Sequence, residues 1–225
     1  MSFSLLGFCP ELEQGIPAGG AQSSEMRISQ RAMMTRTSTS HPLVIATLSV
    51  GGNGGEIGIT FAPGKYQEAA MTGSWARDLD QDLGSIVNWG ARHLVTLIEP
   101  WEFEELRISD LPQRAEDRGL VWHGLPITDG AAPDERLLER WQSLGPRLTT
   151  DLLAGAKVIV HCKGGLGRAG TVAAMLLLQA GAVSGAADAI SKVRRARPGA
   201  IETEQQEDFV KSWARSYWPP KLGRS

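Results

Sequence analysis

A short glycine-rich segment between two apolar runs constrains this chain more than any other feature. The first run, KVIVHC (157–162), is rich in β-branched residues, and KGGLG (163–167) follows it directly. The next segment, 168–180, is almost entirely apolar, as expected of a helix buried on all sides. A strand, a glycine-rich turn and a buried helix in this order are typical of a loop whose backbone N–H groups bind an anion.

From residue 41 onward, strand-like and helix-like patterns alternate along the chain. Besides 157–162, apolar runs with strand character lie at 42–47, 56–61, 92–98 and 120–127. Besides 168–180, helical spacing of apolar residues occurs at 77–89, 134–154, 184–196 and 202–217. This alternation predicts an α/β fold with a mostly parallel central sheet flanked by helices, and the first two runs predict a hairpin.

The first 40 residues differ from the rest of the chain. They are rich in Gly, Ser, Thr and Gln, and their apolar residues follow neither a helical nor a strand period. We therefore predict a disordered tail at 1–40, followed by one domain at 41–220. The arginines of 26–41 weakly resemble a transit peptide, but a plain tail or a start codon placed too far upstream is the interpretation we favour.

Composition excludes several classes of protein. A formal net charge of -2 argues against general binding to nucleic acid or to a membrane surface, because both need a basic excess. No apolar run reaches the roughly 20 residues of a membrane-spanning helix. With 2 cysteines the chain cannot build a disulfide framework, so we expect a reducing compartment and a cytoplasmic location.

Two nucleotide-binding interpretations of the loop are weak. Gly165, Gly167 and Gly170 satisfy the dinucleotide pattern G-x-G-x-x-G. That fold also needs an acid at the end of a second strand about 20 residues later. The nearest acid, Asp188, lies in a helical segment with no strand before it. A nucleoside-triphosphate loop is excluded, since no Lys-Ser or Lys-Thr pair follows the last glycine.

A third interpretation accounts for every residue of the loop. Cys162 and Arg168 bracket five residues, 163–167, whose N–H groups can surround one centre at a helix N-terminus. Those amides and the helix dipole would lower the pKa of Cys162 and favour a thiolate. Arg168 carries a planar fork that can hold two phosphate oxygens. The pattern predicts attack of the thiolate on a phosphate ester.

At this point the sequence resembles a known family. HCKGGLGR (161–168) matches the His-Cys-x5-Arg signature of cysteine-dependent protein tyrosine and dual-specificity phosphatases. Three further segments are similar to the branch that contains the kinase-associated phosphatases: GITFAPGK (58–65), PITDGAAPD (126–134) and RPGAIETEQQ (197–206). The resemblance covers roughly 43–217. It implies the phosphatase fold, a phosphocysteine intermediate, no metal or cofactor, and a phosphorylated protein as the partner.

The resemblance also implies roles for individual residues. Cys162 would be the nucleophile, Arg168 would bind the transition state and Asp129 would protonate the leaving oxygen. The predicted substrate-binding loop comprises Lys163, Gly164, Gly165, Leu166, Gly167 and Arg168. The supporting residues are His161, which would fix the loop, Thr171, and Gln206, which would orient the hydrolytic water. The expected substrates are phosphotyrosine and, beyond it, phosphoserine and phosphothreonine.

Several of these residues also allow simpler interpretations. Asp129 precedes a glycine and is also typical of a turn, with Asp134 as the reserve candidate for the acid. Gln206 is equally compatible with a solvated helix face. Two strand histidines, His93 and His123, fit core or edge positions, and no His/Cys cluster has the spacing of metal ligands.

A basic run near the end of the chain leaves two interpretations open. Lys192, Arg194, Arg195 and Arg197 either form a solvated helix face, which we favour, or attract acidic substrates.

Two departures from the family pattern suggest a different class of function. Relatives usually carry Ser or Thr after the signature arginine, where its hydroxyl helps the thiolate to leave, but this chain has Ala169. The next hydroxyl belongs to Thr171. Glu202 stands where relatives often have Gln, and its charge would repel a phosphate. Both favour the alternative of a phospho-residue binding module with little turnover.

Overall fold

Five strands form the central sheet of the computed structural model, which describes residues 35–70 and 73–217, without the side chain of residue 217. These five strands are β1 (Ala46–Val50), β2 (Gly55–Phe61), β5 (Ala91–Thr96), β6 (Val121–Gly124) and β7 (Lys157–Cys162). A separate hairpin consists of β3 (Tyr66–Ala70) and β4 (Gly73–Ala76).

Seven helices lie in the described part of the chain. They are α1 (Leu79–Asn88), α2 (Pro100–Glu105), α3 (Leu111–Glu116), α4 (Glu135–Leu153), α5 (Gly167–Gln179), α6 (Ala186–Ala196) and α7 (Glu204–Tyr217).

The sheet is mostly parallel, as the alternation of strands and helices predicts. The strand order is β1-β2-β7-β5-β6, and only β1 runs antiparallel, to its hairpin partner β2. The central strand β7 pairs with β2 on one side, where Phe61 lies opposite Cys162, and with β5 on the other, where Thr96 lies opposite His161. The carboxyl ends of three parallel strands therefore meet around Cys162.

Both faces of β7 are covered, which is why its sequence is an unbroken apolar run. Val158 and Val160 belong to the larger apolar cluster, which includes residues of α4, α5, α6 and α7. Ile159 points to the opposite face and belongs to the cluster formed with α1 and α3. The chain therefore has three layers, with the sheet in the middle.

Helix α5 is the centre of the larger layer. Its residues from Gly167 to Leu178 are all buried, so the helix has no solvent face. Such a helix is held by packing on every side, and its first turn, which carries Arg168, is fixed accordingly. The loop before α5 is therefore held at both ends, by the buried strand β7 and by the buried helix α5.

Some elements were not predicted from the sequence. The hairpin β3–β4 and the helices α2 and α3 are too short for a hydrophobic period to appear. Residues 1–34 of the predicted tail lie outside the described residues. The last part of that tail, 35–40, is described: Arg36 forms a bridge with Trp75, and Ser38 is buried and accepts from the N–H of Asp78.

Across the described ranges, no helix combines the length and the apolar character needed to cross a membrane.

Candidate active site

The candidate site is built on the loop between β7 and α5. Cys162 is the last residue of β7 and is only 3% exposed. The N–H of Gly165 donates to its Sγ atom at 3.2 Å. This contact places a backbone N–H donor at the sulfur atom of the predicted nucleophile.

Gly165 is required by the loop for two reasons. Its φ of +69° lies in the left-handed region, which a side chain disfavours. A Cβ atom at this position would also overlap the backbone of Thr60 and Phe61 in the neighbouring strand β2. The glycine therefore lets the loop curl tightly while lying against the sheet.

Cationic side chains bind the outward-facing carbonyls of the loop. Arg197 donates from Nε to the carbonyl oxygen of Gly165 at 3.1 Å and from Nη2 to that of Gly164 at 3.3 Å. The ammonium of Lys65 lies 3.5 Å from the carbonyl oxygen of Lys163. Because these carbonyls are held outside, the N–H groups on the other side of each peptide are left to face inward. The sequence suggested neither role.

Lys65 is itself an unusual group. It is 5% exposed, and its Nζ atom lies 4.3 Å from the ring centre of Trp75 and 5.1 Å from that of Phe61. Burial lowers its pKa to about 8, and the negative charge of Cys162 opposes that fall. At neutral pH the side chain is therefore a cation, stabilised by two aromatic faces.

Arg168 is buried, and both Nη atoms of its guanidinium are bound by one carboxylate. Its Nη1 and Nη2 atoms donate to the two carboxylate oxygens of Glu102 at 2.6 and 2.9 Å, and Nη1 also donates to the carbonyl of Ile127 at 3.0 Å. Burial opposes the charge of Arg168, but Glu102 and the charge of Cys162 raise its pKa above the usual value. Among the described residues, the buried Nε atom has no hydrogen-bonding partner.

Glu102 is a site residue that the sequence analysis missed. It is completely buried, near the start of α2, and its Oε2 atom also accepts from the N–H of Glu99 at 2.8 Å. A buried carboxylate with a bidentate arginine partner is costly to desolvate and fixes the orientation of that partner. The only signal in the sequence was an acid just after a strand end and a helix-starting proline, Pro100.

Asp129 is brought to the site on the loop after β6. Its carboxylate is 63% exposed and lies 2.8 Å from Nη2 of Arg168. The loop is anchored on both sides, because Thr128 donates to Glu99 at 3.1 Å and the carbonyl of Gly130 accepts from Thr203 at 3.1 Å. The carboxylate of Asp129 is therefore accessible from solvent, while its loop is tied to the body of the domain.

Asp134, the reserve candidate for the acid, has a different position. It is the N-cap of α4, accepts from the N–H of Leu137 at 3.3 Å and forms an ion pair with Arg136 at 2.8 Å. Its contacts are those of a capping residue.

His161 lies beneath the loop and is fully buried. Its Nε2 atom lies 2.7 Å from the hydroxyl of Thr96, which also accepts from the indole N–H of Trp122 at 2.9 Å. Burial lowers the pKa of His161 to about 3. The side chain is therefore neutral at physiological pH and contributes to the position of the loop.

This burial predicts acid sensitivity of the fold. An unfolded histidine takes up a proton near pH 6.5, whereas His161 in the folded chain does so only near pH 3. The contribution of neutral His161 to the free energy of unfolding is complete above about pH 6.5. It is lost as the pH falls from there towards 3. At pH 5 we expect His161 to cost about 2 kcal/mol of stability relative to pH 7.5.

Urea unfolding at pH 7.5 and 5 measures this cost. The His161→Gln variant should lose about 2 kcal/mol less than the parent chain between the two pH values, whatever its absolute stability. His41→Gln, at an exposed position, is the matched control. An unchanged pH dependence in His161→Gln would contradict the prediction.

Glu202 and Gln206 lie at the N-terminus of α5. Oε2 of Glu202 accepts from the N–H of Gly167 at 2.7 Å. Gln206 is buried, accepts from the N–H of Glu202 at 2.9 Å and donates to the carbonyl of Ala131 at 3.1 Å. The carboxylate therefore satisfies one N–H group of the first helical turn, and Gln206 ties this region to the loop of Asp129.

Other residues of the predicted substrate-binding loop differ in their surroundings. Lys163 turns away and its ammonium contacts both carboxylate oxygens of Glu105, at 2.7 and 2.9 Å. Gly164 is exposed and Leu166 is half-buried, so both line the accessible side of the loop. We therefore expect the backbone of Lys163, and not its side chain, to face a bound anion.

The environment of Ala169 bears on release of the nucleophile. Ala169 is fully buried, and the hydroxyl of Thr171 donates to the carbonyl of Gly167 at 2.8 Å. Within the described ranges, the hydrogen-bond donor found at the sulfur of Cys162 is the N–H of Gly165. The hydroxyl of Thr171 is thus engaged elsewhere.

We therefore expect slow breakdown of a phosphocysteine in this chain. Rapid-mixing assays with an activated aryl phosphate should show a burst followed by slow turnover. Ala169→Ser should raise turnover on the order of tenfold and shrink the burst, if one hydrogen bond of ~1.4 kcal/mol is restored. Thr171→Val, the control, should change turnover little. Absence of a burst together with no gain in Ala169→Ser would contradict this expectation.

Comparison with known proteins agrees with the geometry of the site. Residues 69–210 match the family described as "PTP-SAK: Swiss Army Knife protein, DSP-PTPase phosphatase domain". Cyclin-dependent kinase inhibitor 3 of Rattus norvegicus is 31% identical over 135 residues, which are 60% of this chain and 62% of that protein. Protein tyrosine phosphatase PRL-1 of Leishmania major is 35% identical over 130 residues, 54% of this chain and 67% of that protein.

Solved structures show the same fold. The structure of kinase-associated phosphatase with its catalytic-site cysteine replaced by serine superimposes with a TM-score of 0.68 at 26% identity, covering 78% of this chain and 96% of that one. The active form of Tk-PTP gives a TM-score of 0.54 at 27% identity, covering 76% and 97%. The aligned region spans only 62% of the length of the rat relative. From its loop, its sheet and these matches, the chain belongs to the protein tyrosine and dual-specificity phosphatase family.

Proposed function

We propose that this chain hydrolyses phosphate monoesters on proteins through a phosphocysteine at Cys162. Phosphotyrosine is the expected substrate, with phosphoserine and phosphothreonine as further ones. The observation that carries the proposal is the guanidinium of Arg168, which is buried and fixed by Glu102 while its Nε has no partner. A buried, unpaired N–H of a cation next to inward-facing amides is the donor set of an oxyanion site.

In the first step, the thiolate of Cys162 attacks phosphorus. An S–P bond forms, the P–O bond to the leaving group breaks, and the protonated carboxyl of Asp129 gives its proton to the leaving oxygen. In the free chain Asp129 contacts Nη2 of Arg168. An incoming phosphate oxygen takes over that Nη2 atom, and Asp129 is released to move to the leaving group.

In the second step, water attacks the phosphocysteine. Asp129, now a carboxylate, accepts a proton from the water, an O–P bond forms, and the S–P bond breaks with the electron pair returning to Cys162. Gln206 is engaged by the backbone on both sides of its amide. We therefore assign it a positioning role: it keeps the loop of Asp129 in register with the start of α5.

Proteins are the proposed partners because of the family and because of charge. One of the relatives is a protein tyrosine phosphatase, PRL-1 of Leishmania major. The loop is surrounded by the cations Lys65, Arg197 and Arg168. Lys65 and Arg197 have no carboxylate partner among the described residues, and such cations attract phosphorylated, acidic segments of a protein.

The alternative function, a phospho-residue binding module with little turnover, rests on Glu202, whose carboxylate occupies the N–H of Gly167, and on Ala169. Ala169 offers no hydroxyl to the departing sulfur, and that of Thr171 is bound to Gly167. Both functions need the same anion site, so binding measurements do not separate them. Turnover does.

The test is steady-state release of phosphate from a phosphotyrosine peptide and from para-nitrophenyl phosphate. We expect many turnovers per chain, abolished in Cys162→Ser. Cys9→Ser, at the other cysteine of the sequence, is the matched control and should keep full activity. A parent chain that releases at most one phosphate per chain, yet binds the peptide, would establish the binding module instead.

A further inference from the structure

A second cluster of basic side chains lies away from the phosphatase loop, beside the edge strand β6. A cavity of about 420 Å³ lies there between β6 and α4. His123, Arg140 and Arg147 line it, together with the apolar side chains of Trp122 and Leu144. Its described lining includes no aspartate or glutamate. The proposed mechanism uses none of these residues.

The histidine at this cavity is the end of a hydrogen-bonded chain. The carboxylate of Asp151 lies 2.9 Å from Nε2 of His93, and Nδ1 of His93 lies 3.1 Å from Nε2 of His123. If Asp151 accepts from His93, then Nδ1 of His93 carries the lone pair and accepts from Nε2–H of His123. Nδ1 of His123 then remains as a site for a further proton.

The uncharged form of His123 is maintained by its surroundings. Burial, the neighbouring His93 and the charge of Arg147 together lower the pKa of His123 to about 4. Burial also lowers the pKa of His93, against the opposing effect of Asp151 and with Arg92 and Arg147 adding to the fall. An anion in the cavity would reverse this balance, since a negative charge favours the imidazolium.

The two arginines of the cavity lack carboxylate partners in the described part of the chain. Arg140 donates from Nη1 to the carbonyl of Gly124 at 2.6 Å, which leaves its other N–H groups available. Arg147 forms no ion pair there, although Asp151 lies one helical turn later in α4. Asp151 is engaged by Arg92, at 3.7 Å, and by His93.

The charged groups that face His123 therefore leave a positive excess. From β5 these are Arg92 and His93, and from α4 they are Arg140, Arg147 and Asp151. One carboxylate balances one of three guanidinium groups. The two guanidinium groups can each donate to two phosphate oxygens, and the imidazole can donate to a third when it is protonated. Their positive charges complement the negative charge of a phosphate group.

We propose that this cavity is a second oxyanion site, which binds a phosphate group as the free ion or as a monoester. It is distinct from the catalytic loop. None of its lining residues belongs to the loop 162–168. Occupation of this site is independent of the chemistry at Cys162, so the proposal stands whether or not the chain is an active phosphatase.

Nuclear magnetic resonance of the histidine side chains tests the proposal. The full chain carries 4 histidines, so the Cε1–H signals are few and can be assigned by substitution. The Cys162→Ser variant is used because it does not hydrolyse a monoester. The pH titration of His123 is recorded without anion, with inorganic phosphate and with phosphoserine.

With either phosphate source, we expect the pKa of His123 to rise by about one unit, which corresponds to roughly tenfold tighter binding to the protonated side chain. The pKa of His41 should not move. Arg147→Gln and Arg140→Gln should each reduce the rise, whereas Arg195→Gln, at an exposed position of α6, should not.

The two ligands also identify the source of the phosphate. A rise with both ligands supports a site for the group itself, and a rise with only one of them supports a site selective for that source. The proposal is overturned if neither ligand changes the titration of His123. It is also overturned if the rise is the same in the Arg140→Gln and Arg147→Gln variants as in the parent.

Discussion

Replacing Arg168 by lysine is expected to lower kcat about a thousandfold while the fold survives. The charge is kept, so Glu102 retains a cationic partner in the interior. What is lost is the geometry: one guanidinium binds Glu102 through both Nη atoms and still offers Nε towards the loop. A lysine ammonium has three N–H donors at a single point and cannot bind in two directions at that spacing. Loss of one such donor to an oxyanion typically costs a factor of 10² to 10³.

The measurement is single-turnover phosphorylation of Cys162 together with thermal unfolding. Arg195→Lys, a matched substitution at an exposed position, should leave both unchanged. A decrease in the rate of the chemical step with little change in substrate affinity would place Arg168 in the transition state. Near-normal turnover in Arg168→Lys would remove the bidentate geometry from the mechanism.

The central loop could be predicted from the sequence because everything that forms it is local. β7, the glycines of 163–167 and the buried α5 are consecutive, so the strand, the turn and the helix fix one another. The apolar run of β7 already indicated burial on both faces. Its neighbours in the sheet follow from the alternation of strands and helices, which admits few topologies.

The contacts that orient the site could not be predicted in the same way. Glu102 lies 66 residues before Arg168 and meets it only because β5 and β7 are adjacent in the sheet. The helix that carries Glu102 has six residues, too few for a period. The hairpin strand β3 likewise begins where the N–H of Tyr66 donates to the carbonyl of Leu106 at 2.9 Å, a contact that no local pattern encodes.

The basic run at the end of α6 shows the limit of pattern reasoning most clearly. The sequence presents four similar cations, but their partners differ. Lys192 donates to the carbonyl of Ser49, Arg194 to that of Ala200, and Arg197 to the catalytic loop. Arg195 is exposed. Spacing on a helix predicts which side chains share a face, whereas the position of free carbonyl groups is decided by the tertiary fold.

Replacing Asp129 by asparagine is expected to have an effect that depends on the leaving group. Asparagine cannot protonate the departing oxygen, so kcat for phenyl phosphate should fall about 10²- to 10³-fold. An activated ester such as para-nitrophenyl phosphate needs less protonation and should lose much less. The high-pH limb of the rate profile, where the acid becomes deprotonated, should disappear in the variant.

The same substitution should also strengthen the binding of phosphate, although it slows turnover. In the free chain the carboxylate of Asp129 occupies Nη2 of Arg168 at 2.8 Å, so a phosphate must displace it before binding. Asparagine is neutral and competes less, so we expect inorganic phosphate, as a competitive inhibitor, to bind Asp129→Asn more tightly than the parent. Asp134→Asn is the control: asparagine caps a helix about as well as aspartate, so this variant should change stability little and should not alter the leaving-group dependence. If Asp134→Asn alone changes that dependence, the acid is Asp134. If phosphate binds no more tightly to Asp129→Asn, the ion pair with Arg168 does not oppose substrate binding.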